Sequence, residues 1–201
     1  MLGNDIIDLG DPETGPGARH PRFDARVFTR EERAALADAE DPERLRWSLW
    51  AAKEAAYKCL KKLAPGTCFS PVRFEVRLES SRTGSVDFGG RRLRVALFAE
   101  GDALHAVATD AGDPERAVLR AVSALPAADG FACASEAVRA LARDAAAAHL
   151  GCAPAELELS REGRVPRLRR RGAKHALDLS LSHHGRFLAV ALETHPEPGA
   201  T

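Results

Sequence analysis

The stretch Trp47-Ser48-Leu49-Trp50-Ala51-Ala52-Lys53-Glu54-Ala55-Ala56-Tyr57-Lys58 decides how this 201-residue chain folds. It lies inside a segment with helix signals at both ends. Asp41-Pro42-Glu43-Arg44 supplies an N-cap carboxylate and a proline at the first helical position, and Pro65-Gly66 is a stop. Leu45, Leu49, Ala52, Ala56 and Leu60 recur at spacings of three and four, so the pattern predicts one long helix, from Pro42 to about Leu63, with a single apolar face. Ala51, Ala52, Ala55 and Ala56 keep that helix thin enough for another backbone or a ligand to approach closely. Glu54 and Lys58 stand one turn apart on one face. On an arbitrary helix such a pair is a solvated ion pair worth about 0.3–0.5 kcal/mol.

Working outward, Asn4 to Leu9 reads as a short edge strand, because the Gly- and Pro-rich run from Gly10 to Pro21 cannot continue it. Thr29 and Glu32 have capping-box spacing and open a short helix through about Asp38. After the long helix, Val72–Leu78, Val86–Phe88, Leu93–Ala99 and Ala103–Thr109 read as an antiparallel meander separated by turns. The scheme then restarts. Asp113-Pro114-Glu115-Arg116 echoes Asp41-Pro42-Glu43-Arg44, Val118–Leu125 fits a strand or a short helix, and Ser135–Leu150 is helical. Leu157–Leu159, Leu177–Leu181 and Phe187–Leu192 repeat the strand set. Val76 lies 31 residues before Val107, and Leu159 lies 31 before Val190. The expected fold class is α+β in two pseudo-repeated halves, 1–111 and 112–194, each a long helix packed on a small antiparallel sheet. Residues 195–201 form a flexible tail.

The length is sufficient to bury a core without disulfides, and no apolar run reaches the roughly 20 residues that span a bilayer. The mini-protein and membrane classes are therefore excluded. Cys59, Cys68, Cys133 and Cys152 form no C-x-x-C pair and have no histidine at zinc spacing, so buried reduced thiols are expected. No basic segment followed by an apolar one marks the start of the chain for export, and the expected location is cytoplasmic. Lysine plus arginine balances aspartate plus glutamate at 29 each, yet residues 1–50 hold 11 acids and 7 bases while 51–100 hold 5 and 10. The overall neutrality therefore averages oppositely charged regions.

Asp5 offers a second isolated carboxylate, and an Asp–Glu pair drawn from separate elements suits a hard, oxygen-seeking ion such as magnesium. Leu179 to Gly185 alternates as a strand and ends in Ser182-His183-His184. Consecutive strand side chains diverge, which argues against His183 and His184 sharing a metal. Ser182 also lacks the glycines of a nucleophile elbow. Arg164, Arg167, Arg169, Arg170, Arg171 and Lys174 make the densest cationic run, read either as a solvated hairpin or as a phosphate-binding surface. Aromatic residues are only 5% of the chain, which disfavours stacking on single-stranded nucleic acid.

Taken in order, Gly3-x-Asp5, Trp50-x-x-Lys53-Glu54-Ala55-x-x-Lys58 and Leu181-Ser182-His183 resemble the signature motifs of the 4'-phosphopantetheinyl transferases. That family moves phosphopantetheine from coenzyme A to a carrier-protein serine. Phe28-Thr29-x-x-Glu32 resembles the helix before the family's Lys-Glu motif, and Gly163-Arg164-Val165-Pro166 resembles its Gly-Lys-Pro turn with one extra residue. The motif order is that of the small holo-acyl-carrier-protein synthases, whereas the length is that of the duplicated surfactin type. The resemblance therefore implies a monomeric pseudodimer with one site in the cleft between its halves.

The resemblance further implies Mg2+ held by Asp5 and Glu54, with Glu54 also activating the carrier serine directly or through a water on the metal. Lys58 and Lys53 would contact phosphates, and Arg164, Ser182 and His183 would contact the nucleotide or its phosphates. The expected catalytic residues are Glu54 and Lys58, the substrate is coenzyme A, the partner is an acyl or peptidyl carrier protein, and no nucleic acid is expected. Surfactin-type members carry another acid two residues after the Asp, where this chain has Ile7. Asp8 in an uninterrupted strand would face away from Asp5, so water is expected at that metal position. The alternatives are a non-catalytic coenzyme A or carrier-protein binding module and a basic nucleic-acid-binding protein.

Overall fold

A computed structural model describes residues 1–115, 118–125, 131–163, 165–173 and 177–193. The expected tail at 195–201, together with Arg164 and Lys174, lies outside the described residues. The fold is α+β. Strand β1 (Leu2–Asp8) leads through two short 3-10 turns into α1 (Phe23–Val27), α2 (Arg30–Ala37) and the long α3 (Pro42–Leu63). The meander β2 (Glu75–Leu78), β3 (Thr83–Phe88), β4 (Arg91–Glu100) and β5 (Ala103–Thr109) follows. Then come β6 (Val118–Ala124), α4 (Phe131–Leu150), β7 (Leu157–Glu162), β8 (Val165–Arg170), β9 (Leu177–His184) and β10 (Phe187–Glu193). The described residues form two antiparallel five-stranded sheets, ordered β1-β5-β4-β3-β2 and β6-β10-β9-β8-β7.

Local chemistry explains the helix boundaries. Asp41 caps α3 by accepting from the Arg44 N–H, and Thr29 and Glu32 close a complete capping box on α2. The segment expected as one strand from Val72 begins instead with a 3-10 turn at Pro71–Arg73, and β2 starts only at Glu75. Lys53 explains the difference: its ammonium draws in the carbonyls of Pro71 and Phe74, which a ladder would have used. Val118–Ala124 is a strand, and the cationic run includes a true strand, β8. Within that run Arg167 pairs with Glu162 and Arg170 with Glu156. The expectation of buried thiols holds for Cys59 but fails for Cys68, which is exposed in the loop after α3. Cys133 has no described side chain.

The core of the first sheet forms around α3, whose Ala51, Ala52, Ala55 and Ala56 are fully enclosed. Phe23, Trp47, Trp50, Tyr57, Phe69 and Phe74 contact one another edge-on or tilted along its flank. The second core packs α4 on β9 and β10 through Val138, Ala142, Ala146, Leu179, Leu188 and Val190. None of the described helices is long and apolar enough to cross a membrane.

The sheets meet along β1. Its seven residues are all buried even though it is an edge strand. Leu2 packs with Val107 and Ala191, and Ile6 with Ala103 and Ala189. The outward N–H groups of β1 find no further strand, but they are not orphaned. Leu2, Asn4, Ile6 and Asp8 donate to Asp178 Oδ2 (2.7 Å), Ser180 Oγ (3.0 Å), Ser182 Oγ (3.3 Å) and His184 Nδ1 (3.1 Å) respectively. Alternate side chains of β9 thus take the place of a partner backbone. Leaving such donors buried and unpaired would cost about 1–3 kcal/mol each.

Candidate active site

Two elements bring the carboxylates together because one residue has no side chain. A Cβ on Gly3 would lie 2.1 Å from the Ala55 carbonyl oxygen and 2.5 Å from the Cys59 nitrogen. Strand β1 therefore crosses α3 at backbone contact, and the facing alanines of α3 permit it. On the same face of β1, two residues on, Asp5 meets the turn of α3 that carries Glu54 and Lys58.

Lys58 does not form the solvated pair with Glu54 that helical spacing alone suggests. Its Nζ lies 2.8 Å from Asp5 Oδ1 and 3.2 Å from Ser182 Oγ. The Ser182 hydroxyl in turn donates to Asp5 Oδ1 at 2.8 Å. Asp5 and Ser182 are buried, and Lys58 is 29% exposed at the rim. Burial, and then the Asp5 charge, push the Glu54 carboxyl up to about 7, with Lys58 pulling the other way. The shift places the two carboxylates in each other's field.

Asp5, Glu54, Lys58 and Ser182, all read as site residues from sequence, therefore converge from β1, α3 and β9. His183 sits half-buried at the end of β9, on the face opposite Ser182. Its imidazole pKa is lowered by burial first and then by the Lys58 and His184 charges. Arg164 lies outside the described residues.

Lys53 is a correction. Its side chain is 0% exposed and pairs at 2.8 Å with Glu32, itself buried. Its remaining donors go to the Pro71 and Phe74 carbonyls, and the ring of Phe28 lies 5.7 Å away. Burial lowers its pKa against the opposing pull of Glu32. A lysine so enclosed holds α2, α3 and the start of β2 together and does not reach a ligand. Glu32 is a matching omission. The sequence marks it as a capping residue and as part of the Phe28-Thr29-x-x-Glu32 motif but not as the partner of Lys53, and its carboxylate also accepts from the Val76 N–H at 2.8 Å. Its spacing after Thr29, ahead of a helix rich in alanine and lysine, was the available signal.

Asp8 faces away from Asp5, as an unbroken β1 requires. Arg186 holds it through two guanidinium contacts (2.6 and 2.8 Å) and its own N–H (2.9 Å), and the carboxyl falls to about 2, chiefly because of those Arg186 bonds. The Asp8 carboxylate is thus committed to Arg186 on the side away from Asp5. Among the described residues no group of three or more His, Cys, Asp or Glu side chains is arranged to hold a metal ion. The donor set nonetheless suits magnesium. Asp5 Oδ2 and the Glu54 carboxylate accept no hydrogen bond among the described residues, and two hard oxygen donors leave the other positions to water and phosphate oxygens.

Beside this cluster a cleft of about 240 Å³ runs between α3 and β7–β9, lined by Tyr57, Lys58, Lys61, Arg161, Val165 and Pro166 among others. Its walls are largely apolar and its rim is cationic, and Lys58 joins it to Asp5. Lys62, on the same wall, is buried and committed to Asp178 at 2.6 Å and to the Leu2 and Leu179 carbonyls. Among the described residues, Lys58, Lys61 and Arg161 are therefore the cations this groove can present.

Paired carboxylates, a lysine and a cationic groove define a site suited to group transfer from a phosphate-containing donor. Residues 1–110 match the family model ACPS, 4'-phosphopantetheinyl transferase superfamily, and the chain belongs to that superfamily. The match supports a transferase activity and, in general terms, phosphopantetheine transfer. No curated protein matches the chain.

Proposed function

We propose that the protein transfers 4'-phosphopantetheine from coenzyme A to a serine of an acyl or peptidyl carrier protein, with Mg2+, releasing adenosine 3',5'-bisphosphate. The observation that carries this reading is the convergence of Asp5, Glu54 and Lys58 beside the cationic cleft that Lys58 lines. In the reaction the serine Oγ bonds to the β-phosphorus, and the bond from that phosphorus to the bridging oxygen breaks. The electron pair leaves with adenosine bisphosphate, and the serine proton passes to a base.

Asp5 and Glu54 would hold the metal, which when bound supplies charge compensation for the diphosphate. Lys58 stands where it can share its charge with the diphosphate oxygens. Lys61 and Arg161 line the groove for the rest of coenzyme A, with its apolar portions against Tyr57, Val165 and Pro166. We assign Glu54 also to receive the serine proton.

We further read the chain as two repeated halves, 1–111 and 112–194, sharing one site, so that the protein works as a monomer. The corresponding strand orders of the two sheets support this, because each sheet places its first strand beside its last.

The test is to mix the protein with coenzyme A, Mg2+ and several apo carrier proteins and to measure the carrier mass. Transfer adds about 340 Da, the mass of the group moved in this phosphoryl-type reaction. Coenzyme A binding with no adduct on any carrier would instead support a non-catalytic binding module.

A further inference from the structure

A second cavity, of about 440 Å³, lies where the β4–β5 hairpin, β6 and the first turns of α3 meet. Among the described residues it shares no lining side chain with the cleft beside Asp5. Its volume is that of a small-molecule site, for which about 300–1,000 Å³ is usual. Three arginines from three elements line it: Arg44 of α3, Arg82 of the β2–β3 turn and Arg120 of β6. Glu100 is the acid among its described lining residues. Arg82 has an exposed contact with Glu115 at 3.2 Å, whereas Arg120 makes no ion pair among the described residues and lies 3.3 Å from the centre of the Phe98 ring. The Arg120 pKa is lowered by burial first and then by the charge of Arg82, with Glu115 pulling the other way. Guanidiniums held in each other's field in this way are relieved by an anion.

His105 gives an independent sign. It lines the same cavity and is 1% exposed. Asn4 Nδ2 stands 3.0 Å from His105 Nε2, so the amide donates and Nε2 accepts. Burial first, and then the Arg120 and Lys58 charges, bring the ring down to about 3, so the imidazole is neutral and carries its proton on Nδ1. That Nδ1 has no partner among the described residues. A buried donor without an acceptor is costly, and among three cations the group that accepts from it is an anion. Val122, 42% exposed, adds an apolar stretch of wall.

We propose that this cavity is a second binding site, for a small phosphate monoester whose head is held by Arg44, Arg82 and Arg120 with His105 as the inner donor, and whose organic part lies against Val122. Three cations against one lining acid favour a dianion over a single carboxylate, and guanidinium forks match phosphate oxygens. The volume and the exposed Val122 favour an ester over the bare ion. None of these residues belongs to the Asp5 cluster, so the site does not depend on the transfer chemistry.

The probes are phenyl phosphate, inorganic phosphate and benzoate, each titrated at constant ionic strength and neutral pH into isotope-labelled protein, with imidazole and guanidinium nitrogens followed by nuclear magnetic resonance. The variants are R120A, R82A, R143A on α4, and the double variant K61A/R161A in the first cleft. Phenyl phosphate should shift the His105 and Arg120 signals saturably with a Kd of about 1 mM or below, with inorganic phosphate about 5-fold weaker and benzoate about 10-fold weaker or more. R120A and R82A should each raise that Kd about 10-fold or more, while R143A and K61A/R161A leave it within about twofold. A Kd that follows K61A/R161A and not R120A places the ester in the first cleft and overturns the proposal. Benzoate binding as tightly as phenyl phosphate overturns it too, as does a His105 proton on Nε2 or an imidazole unmoved at saturation. If R120A does not fold, R82A decides by the same measure.

Discussion

Replacing Gly3 by alanine tests the geometry that assembles the site. Gly3 has no positive φ, so its requirement is for space and not for an unusual backbone conformation. An alanine Cβ would stand 2.1 Å from the Ala55 carbonyl oxygen and 2.5 Å from the Cys59 nitrogen, and both are helix backbone that cannot rotate aside. Ordinary contact begins near 3.4 Å, so α3 must retreat by about 1.3 Å at that crossing. Overpacking of this kind costs about 3 kcal/mol, the upper part of the usual range, since no flexible side chain is available to yield. For a domain of this size that lowers the melting temperature by roughly 6–12 °C. The retreat also carries Glu54 and Lys58, which flank Ala55, away from Asp5 and stretches the 2.8 Å contact from Lys58 to Asp5 toward about 4 Å. A displacement of about 1 Å in a catalytic arrangement is worth about 100-fold in rate. The assays are thermal melting by circular dichroism and transfer to an apo carrier followed by mass spectrometry. Gly17, where a Cβ would meet nothing, supplies the control substitution. A G3A protein that melts within about 2 °C of wild type and transfers at an undiminished rate would refute the close-approach argument.

Glu54→Gln should abolish transfer, a loss of at least about 100-fold, while leaving far-ultraviolet circular dichroism unchanged; full activity would remove Glu54 from both its roles. Lys53→Ala, which strands Glu32 as a buried charge, should cost about 3–5 kcal/mol of stability measured by urea unfolding, and a loss of coenzyme A affinity with stability intact would contradict its structural placement. Asp8 has its carboxyl lowered from 3.8 to about 2, so its contribution is complete above pH 4 and disappears as the pH falls from 4 toward 2. Because its partner Arg186 is 58% exposed and screened, that contribution is about 1 kcal/mol, and Asp8→Asn should be less stable than wild type at pH 6 but nearly equal to it at pH 2.

What could be read before folding was what is local. The caps of α2 and α3 follow from Thr29, Glu32, Asp41 and Pro42 alone, because a cap is satisfied within one turn. The opposite facing of Asp5 and Asp8 follows from strand alternation. The thinness of α3 was equally plain from its alanines, although not that Gly3 would be the backbone pressed against them, because that crossing joins residues more than fifty positions apart. Lys53 was misread for a related reason. Next to Glu54 in a motif it looks like a companion of Lys58, yet successive helical positions are rotated by about 100°, and it points into the core toward Glu32. Helix α1 was missed because Phe23–Val27 is too short to show a period and is held by contacts of Phe23 with Phe28, Trp47 and Trp50.

The alternation Asp178-Leu179-Ser180-Leu181-Ser182 has a meaning that strand periodicity alone would not assign. An ordinary half-buried strand turns its polar side to water, but here Asp178, Ser180 and Ser182 are all buried. They face the free edge of β1, and each rung takes one N–H that would otherwise be orphaned. Had β9 met β1 backbone to backbone, the edge would have been closed by a ladder with no side chain between the strands. Contact through side chains instead leaves a polar seam, and at one rung that seam reaches past the backbone to a carboxylate. The same Ser182 hydroxyl thus accepts from the Ile6 N–H of the buried edge and donates to Asp5. Beside that seam Lys62 of α3, bonded to Leu2, Asp178 and Leu179, and Arg186, bonded to Asp8 and Asp102, tie the two sheets together.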